Sequence, residues 1–419
     1  MDVFALILAG GDSPGLSSLA DPRPTAAMPF AGKYRIIDFT LSNCTNSGIF
    51  DVAVLVQYRP HSLNEHIGSG RPWDLDRTHG GIQTWQPYRG RSDQGWQRGT
   101  ADALYQNRDF IRGADCDTLL VLPGDHIYKQ DYRPLLRRHA ETGADVTIGV
   151  MDIPREEAHR FGIVKLDDKE RIVDFHEKPS DFHGTLASMG IYVFRTAFLL
   201  DKLEQDAGDP ESEHDFGRDI IPAMVEAHTV YGYRFDGYSI DVGTIPAYLQ
   251  VNLDLLGDKP ALDLYDKRWR IHTRSEERPP VKLLEGSAVS GSLLSNGCVI
   301  AGRVTNSVLS PGVIVEAGAE VRDSVIMNDT RIEAGARVDR CILDKQVVVG
   351  SGARLGEGMA SPPNRTEPEH LHSGVTIAGK GARIPPGVRV GRNCRIDPGV
   401  GHADFVGPDV ASGESVTVE

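Results

Sequence analysis

The sequence predicts an α/β domain with a mostly parallel sheet, followed by a left-handed parallel β-helix. Two observations carry this reading. Up to residue 258, short apolar runs alternate with helix-like segments at the spacing of βαβ units. Further on, a short word recurs at Gly318-Ala319, Gly335-Ala336, Gly352-Ala353 and Gly381-Ala382, its first three copies 17 residues apart. Apolar residues also fall six apart, as in Val315, Val321, Met327 and in Ile384, Val390, Ile396. Three hexads make one triangular coil of about eighteen residues. Sandwich strands would show period two without such a word.

Taken in order, Val3 to Ala9 is an apolar run ending in Gly10-Gly11, as a buried parallel strand would. Residues 51–56, 118–125 and 144–150 read as further strands, 118–125 closing on Asp125, and Ala101–Ile111 and Tyr132–Glu141 read as helices. Parallel sheets bind ligands beyond the carboxyl ends of their strands, so Gly10-Gly11 and Asp125 are expected to line one crevice. Residues 259–284 mix Pro, Asp, Arg and Lys and read as a linker. The coil is expected over 285–400, with 357–373 looping out, and 401–419 as an irregular tail. The ends and flat faces of such a coil commonly pack on another copy, so a tetramer is expected.

A net charge of −14 argues against wholesale binding to nucleic acid or an anionic membrane. A small phosphorylated ligand remains open, since a local cluster of cations can override the global sign. The five cysteines are scattered, without C-x-x-C or histidines at zinc spacing, and read as reduced thiols. The first residues lack the basic region of a signal peptide, and no apolar run approaches a membrane span. A cytoplasmic protein is the expectation.

Several clusters carry chemistry. Gly10-Gly11 lets the backbone approach a phosphate or base. Lys33 and Arg35 put two cations beside an apolar run, which suits an anionic substrate or effector. Asp125, after Pro123-Gly124, and Asp241, before Val242-Gly243, stand where carboxylates can hold Mg²⁺ against phosphate oxygens. Either alone could equally be a helix N-cap. Glu177-Lys178-Pro179 presents an acid for sugar hydroxyls beside a base for phosphate, or a surface ion pair of little worth.

These words occur together with Gly32-Lys33-Tyr34-Arg35-Ile36-Ile37-Asp38-Phe39, Leu41-Ser42-Asn43-Cys44, Gln57-Tyr58, Gly99-Thr100-Ala101-Asp102, Arg160-Phe161-Gly162, Ser188-Met189-Gly190 and His214-Asp215-Phe216-Gly217. The set resembles the glucose-1-phosphate adenylyltransferase (ADP-glucose pyrophosphorylase) family over nearly the whole chain. The resemblance implies a Rossmann-like nucleotidyltransferase domain with a mixed, mostly parallel sheet. It also implies that ATP and glucose 1-phosphate give ADP-glucose and pyrophosphate, in glycogen or starch synthesis. Asp125, Lys178 and Asp241 would be catalytic, with Asp125 and Asp241 holding the metal. Ala9, Gly10, Gly11, Gln57, Gly99 and Thr100 would meet the nucleotide, and Gly162, Glu177, Lys178 and Ser188 the glucose 1-phosphate. A sugar-phosphate effector would bind where the two domains meet, with Lys33 and Arg35 as its candidates, in a homotetramer or a heterotetramer with a paralogue.

The phosphate loop departs from the family's Gly-Gly-x-Gly-Thr-Arg-Leu and Arg-x-Lys-Pro. Gly15 stands at the arginine position and Thr25 at the lysine position, Asp12 adds a negative charge, and Pro14 removes an amide donor. Gln97 replaces a tyrosine near the base, and Ser239-Ile240 replaces Trp-Arg. Two roles follow: a catalyst, slow if the cations matter, or an impaired regulatory partner of an active paralogue. Acyl transfer by the coil is disfavoured, because no histidine sits among its clean repeats.

Overall fold

Strand Val3–Leu8 lies inside a nine-stranded sheet, paired in parallel with Asp51–Leu55 on one side and Thr118–Pro123 on the other. Phe4 to Ile7 are all buried, because helices cover both faces, and this is why the run lacks polar alternation. Gly81–Trp85 extends the parallel side. On the other side Leu186–Arg195 runs antiparallel to Thr118–Pro123 and to Val146–Asp152, and Gly162–Leu166 and Ile172–Glu177 form an antiparallel edge. The sheet is therefore mixed. The computed structural model describes residues 2–11, 13–87, 98–180, 184–360 and 362–418. The expected helix over Ala101–Ile111 breaks into Thr100–Gln106 and Arg108–Gly113. At the break, Asn107 leaves the helical region (φ −100°, ψ 12°) and its side-chain amide donates to the Ala103 carbonyl at 2.8 Å.

The second body is a coil of three parallel sheets with six, seven and seven strands. The recurring word has a physical cause. Gly318, Gly335, Gly352 and Gly381 turn its corners at φ of 68–75°, where a Cβ is disfavoured, and each following alanine is buried in the interior. The coil also runs beyond the expected 285–400. Lys282–Leu283 already pairs with Val299–Ile300, and Asp409–Val410 and Ser415–Val416 pair with Arg389–Val390 and Arg395–Ile396. Residues 409–416 are thus part of the coil, which corrects the irregular tail. The six-residue step from Val410 to Val416 persists there without the Gly-Ala word.

The segment expected as a linker is strapped to the first domain. Trp269 Nε1 donates to Asn43 Oδ1 at 2.9 Å, the His272 amide to Ser42 Oγ at 2.8 Å, and Asn46 Nδ2 to the Arg270 carbonyl at 2.9 Å. Its own Leu262 and Ile271 are buried. The Leu-Ser-Asn-Cys word in helix Ile37–Asn46 thereby acquires a structural role.

An apolar seam joins the two bodies. On one sheet of the coil, both residues of Val308–Leu309, Val325–Ile326 and Ile342–Leu343 are buried. Leu309, Ile326 and Leu343 fill the coil, whereas Val308, Val325 and Ile342 pack with Leu16, Leu19, Phe30 and Ile36 of the first domain. On the neighbouring sheet the outward positions Arg303, Glu320, Arg337, Arg354 and Arg389 are exposed, in one register. Among the described residues, no helix is long and apolar enough to cross a membrane.

Candidate active site

The carboxyl ends of three strands converge. The Ala9 amide donates to the Leu55 carbonyl at 2.9 Å, the Tyr58 amide to the Gly10 carbonyl at 3.1 Å, and the Gly124 amide to the Leu8 carbonyl at 2.9 Å. Ala9, Gly10 and Gly11 therefore share one edge with Gln57 and Asp125. Asp12 and Gln97 lie outside the described residues.

Strand His126–Tyr128 pairs antiparallel with Ser239–Asp241, and His126 is the register partner of Asp241. This brings the two aspartates, 116 positions apart in the chain, to the end of one short ribbon. Asp125 Oδ1 is 2.9 Å from His126 Nδ1. Burial opposes ionisation of Asp125, but the hydrogen bond and charge of His126 outweigh it, so its carboxyl is held below the ordinary carboxylate value. Asp241 Oδ1 accepts from the Gly243 amide at 2.9 Å, and its Oδ2 pairs with Arg160 Nη2 at 2.7 Å. Sequence reasoning gave His126 and Arg160 no role. Their signal was their place inside the words that hold Asp125 and Gly162.

Glu177 is the register partner of Gly162 on the antiparallel edge. Its carboxylate sits between two glycines. A Cβ on Gly217 would lie 2.5 Å from Glu177 Oε2, and one on Gly162 2.8 Å from the same atom. Burial raises the Glu177 carboxyl above its usual value although Lys178 is adjacent. Lys178 adopts φ 44°, its amide donates to the Phe161 carbonyl at 3.0 Å, and its ammonium stands 3.7 Å from Glu177 Oε1. The Lys178 side chain is mostly exposed, so this ion pair contributes little. Ser188 is buried beside a bulge in Leu186–Arg195, 3.4 Å from the Tyr192 hydroxyl. Burial raises the Tyr192 phenol above its usual value, and the charge of Glu177 acts in the same direction.

Thr100 is engaged with protein. Its hydroxyl donates to Asp215 Oδ2 at 3.0 Å and accepts from the Phe216 amide at 2.9 Å. Gly99 packs against the His214 carbonyl, where any Cβ would collide with backbone. Lys33 and Arg35 are not in this crevice. They line a separate cavity of about 410 Å³ between the domains, together with Arg274, Lys345, Glu65 and Glu276.

The segment after Ser13 packs against the seam. Pro14–Leu19 forms a short 3-10 turn, with Leu16 and Leu19 in the seam. Gly15 rests on the Gly243 carbonyl, one residue past Val242 and two past Asp241, so a Cβ there has no room. Ser17 holds φ 52° and ψ −145°, an uncommon conformation for a residue with a side chain. Its hydroxyl is bonded to Glu367 of the coil's insertion. Arg23 is buried against the coil, its Nη2 donating to Asp344 Oδ2 at 2.8 Å.

Comparison with known proteins agrees with the two-domain fold. The nucleotidyl transferase family profile matches residues 4–257, and the profile of the GlmU-like C-terminal hexapeptide family matches residues 279–378. A protein named glucose-1-phosphate adenylyltransferase from Thermomicrobium roseum is 56% identical, over 99% of this chain and 97% of the relative. Proteins with the same name from Thermotoga neapolitana and Thermotoga maritima are 49% and 48% identical, over 99% and 100% of this chain and 98% and 99% of their own lengths. The chain belongs to the glucose-1-phosphate adenylyltransferase family of nucleotidyl transferases.

Proposed function

We propose that the chain joins ATP and glucose 1-phosphate into ADP-glucose and pyrophosphate, for α-glucan synthesis in the cytoplasm. The observation that carries this is the convergence of Asp125 and Asp241 on one ribbon, in a crevice that also holds Glu177 and Lys178. A phosphate oxygen of glucose 1-phosphate attacks the α-phosphorus of ATP. The new P–O bond forms as the bond to the β-phosphate bridge breaks, and pyrophosphate leaves. Lys178 meets the sugar phosphate, Glu177 accepts sugar hydroxyls, and Gly162 and Ser188 shape that side. The backbone at Ala9, Gly10 and Gly11, with Gln57, Gly99 and Thr100, forms the nucleotide side. Such chemistry is mostly positioning and electrostatics.

Asp125 and Asp241 offer two hard oxygen donors. That set fits Mg²⁺, which commonly takes one or two carboxylates and completes its shell with water and phosphate. Among the described residues no group of three or more His, Cys, Asp or Glu ligands gathers. When bound there, the ion would offset charge on the departing pyrophosphate. The test is the reverse reaction. ADP-glucose and pyrophosphate with Mg²⁺ should yield ATP and glucose 1-phosphate, and no ATP at any enzyme concentration would sink the proposal.

A second reading, an impaired subunit that modulates an active paralogue, is favoured by the seating of Gly15 and by Arg23's burial at the seam. It carries its own expected result. Gly15→Arg restores the family's cation but drives Cβ into the Gly243 carbonyl, next to Asp241, so it should lower the unfolding midpoint and not raise activity. A gain of tenfold or more, with unchanged stability, would show that the loop can lift away.

The interdomain cavity is proposed for a sugar-phosphate effector, held by Lys33 and Arg35. Burial, then the charges of Arg35 and Arg23, push the Lys345 ammonium down to about 8. Lys345 is charged below that pH and neutral above it. Affinity of the cavity for a sugar phosphate should therefore fall between pH 7 and 9, and Lys345→Arg should flatten the fall. Equal affinity at both pH values in the unmodified chain would remove Lys345 from the cavity's chemistry. The assembly we propose is a tetramer, alone or with a paralogue, which a monomeric mass by light scattering at micromolar concentration would contradict.

A further inference from the structure

The chain carries a buried histidine that opens a turn, residues 214 to 217, whose two ends meet the two halves of the crevice, while its side chain bonds elsewhere. His214 is 2% exposed and holds φ 57°, a left-handed conformation that costs a residue with a Cβ. Its ring Nδ1 lies 2.8 Å from Asp206 Oδ2, on helix Thr196–Ala207. Asp206 also accepts from Ser212 Oγ at 2.6 Å, and the His214 amide donates to that same hydroxyl at 2.9 Å. His214 Nε2 is buried without a hydrogen-bond partner among the described residues, so the bond to Asp206 alone orients the ring.

This arrangement fixes the turn from 214 to 217, and that turn serves two masters. On one side the His214 carbonyl accepts from the Ala101 amide at 2.9 Å and the Asp102 amide at 3.3 Å, capping helix Thr100–Gln106. Gly99 packs on the same carbonyl, and Thr100 is bonded to Asp215. On the other side Gly217 leaves the space that the Glu177 carboxylate fills. Gly99 and Thr100 are held by the turn, through the His214 carbonyl and Asp215, whereas the backbone of Glu177 belongs to strand Ile172–Glu177. A shift of the turn therefore moves one half of the crevice relative to the other.

We infer that His214, clamped by Asp206, is a positioning residue that sets the nucleotide side of the crevice in register with the glucose 1-phosphate side. The inference rests on the function proposed above. In-line attack depends steeply on alignment, and a displacement of about 1 Å costs on the order of a hundredfold in rate. Releasing the clamp should leave each substrate its own contacts and degrade their mutual alignment.

The test compares His214→Ala, His214→Asn and His139→Ala with the wild type, reading kcat, both KM values and the unfolding midpoint. Asparagine tolerates left-handed φ and can donate to Asp206, so it is the rescue. His139 is equally buried but bonds Thr147 at 2.9 Å near the opposite ends of the strands, so it controls for lost stability alone. The expected result is that His214→Ala lowers kcat by about tenfold to a hundredfold. Both KM values should stay within about threefold, His214→Asn should recover most of kcat, and His139→Ala should lower only the midpoint. If the wild type binds both ligands without turnover, the readout is the change in glucose 1-phosphate affinity on adding ATP, which His214→Ala should abolish. Wild-type kcat in His214→Ala, or equal losses in His214→Ala and His139→Ala, would overturn the inference alone. A wild type that neither reacts nor binds glucose 1-phosphate in calorimetry would overturn the proposed function and this inference with it.

Discussion

Asp241→Asn is expected to lower pyrophosphate release from ATP and glucose 1-phosphate by about 10³-fold while leaving the fold intact. The asparagine oxygen can still accept from the Gly243 amide, so the turn that follows Ser239–Asp241 keeps its hydrogen bond. What is lost is a full negative charge opposite Arg160 and beside the Asp125–His126 pair. A metal that stabilises developing charge is worth several kcal/mol, and about 1.4 kcal/mol is a factor of ten. Asp125→Asn should behave alike, and on the proposal that both carboxylates hold one ion, the double substitution should cost little more than either alone. The check is a rate measurement with a Mg²⁺ titration. A loss smaller than tenfold at saturating Mg²⁺ would mean that Asp241 is a structural partner of Arg160.

Asp344→Ala is expected to destabilise the chain by about 3–5 kcal/mol, the cost of leaving a buried charge without its partner. Arg23 and Asp344 are 2% and 0% exposed, and the guanidinium is otherwise surrounded by Met28 and Met327. Nothing else near it supplies a counter-charge in the described contacts. Replacing both partners with apolar residues of similar volume should recover most of the loss, because the pair itself is worth far less than the orphaned charge. The same pair ties the segment before Pro24-Thr25 to the coil, so the single variant should also loosen the phosphate loop. Denaturant unfolding of both variants is the check. Equal stability of Asp344→Ala and the wild type would mean that water reaches Arg23.

The parts legible in the sequence were those fixed by local period. The apolar run Val3 to Ala9 had to be a strand buried on both faces, and the Gly-Ala word had to mark corners. Asp125 and Asp241 stood out because each lies at a junction of an apolar run and a glycine, Gly124 or Gly243. What escaped depended on distant partners. Nothing near Trp269 or His272 announces that they bond to Asn43 and Ser42, so the strap read as a linker. The final strands escaped because Val410 and Val416 keep the hexad without its corner word. Gly217 stood in a quoted motif, yet its meaning lies in the carboxylate of Glu177, forty positions earlier. The seating of Gly15 on Gly243 was equally hidden, since the sequence reports a missing arginine but not what fills its place.

On the proposed function, this crevice transfers an adenylyl group although Gly15 and Thr25 stand where the family carries cations. The most direct measurement is pyrophosphate release by the purified chain alone, from ATP and glucose 1-phosphate with Mg²⁺, with ADP-glucose identified as the second product. The expected result is stoichiometric ADP-glucose and pyrophosphate, abolished by chelating the metal and by Asp241→Asn. Binding of glucose 1-phosphate without any ADP-glucose, even after prolonged incubation, would contradict it and leave the regulatory role in its place.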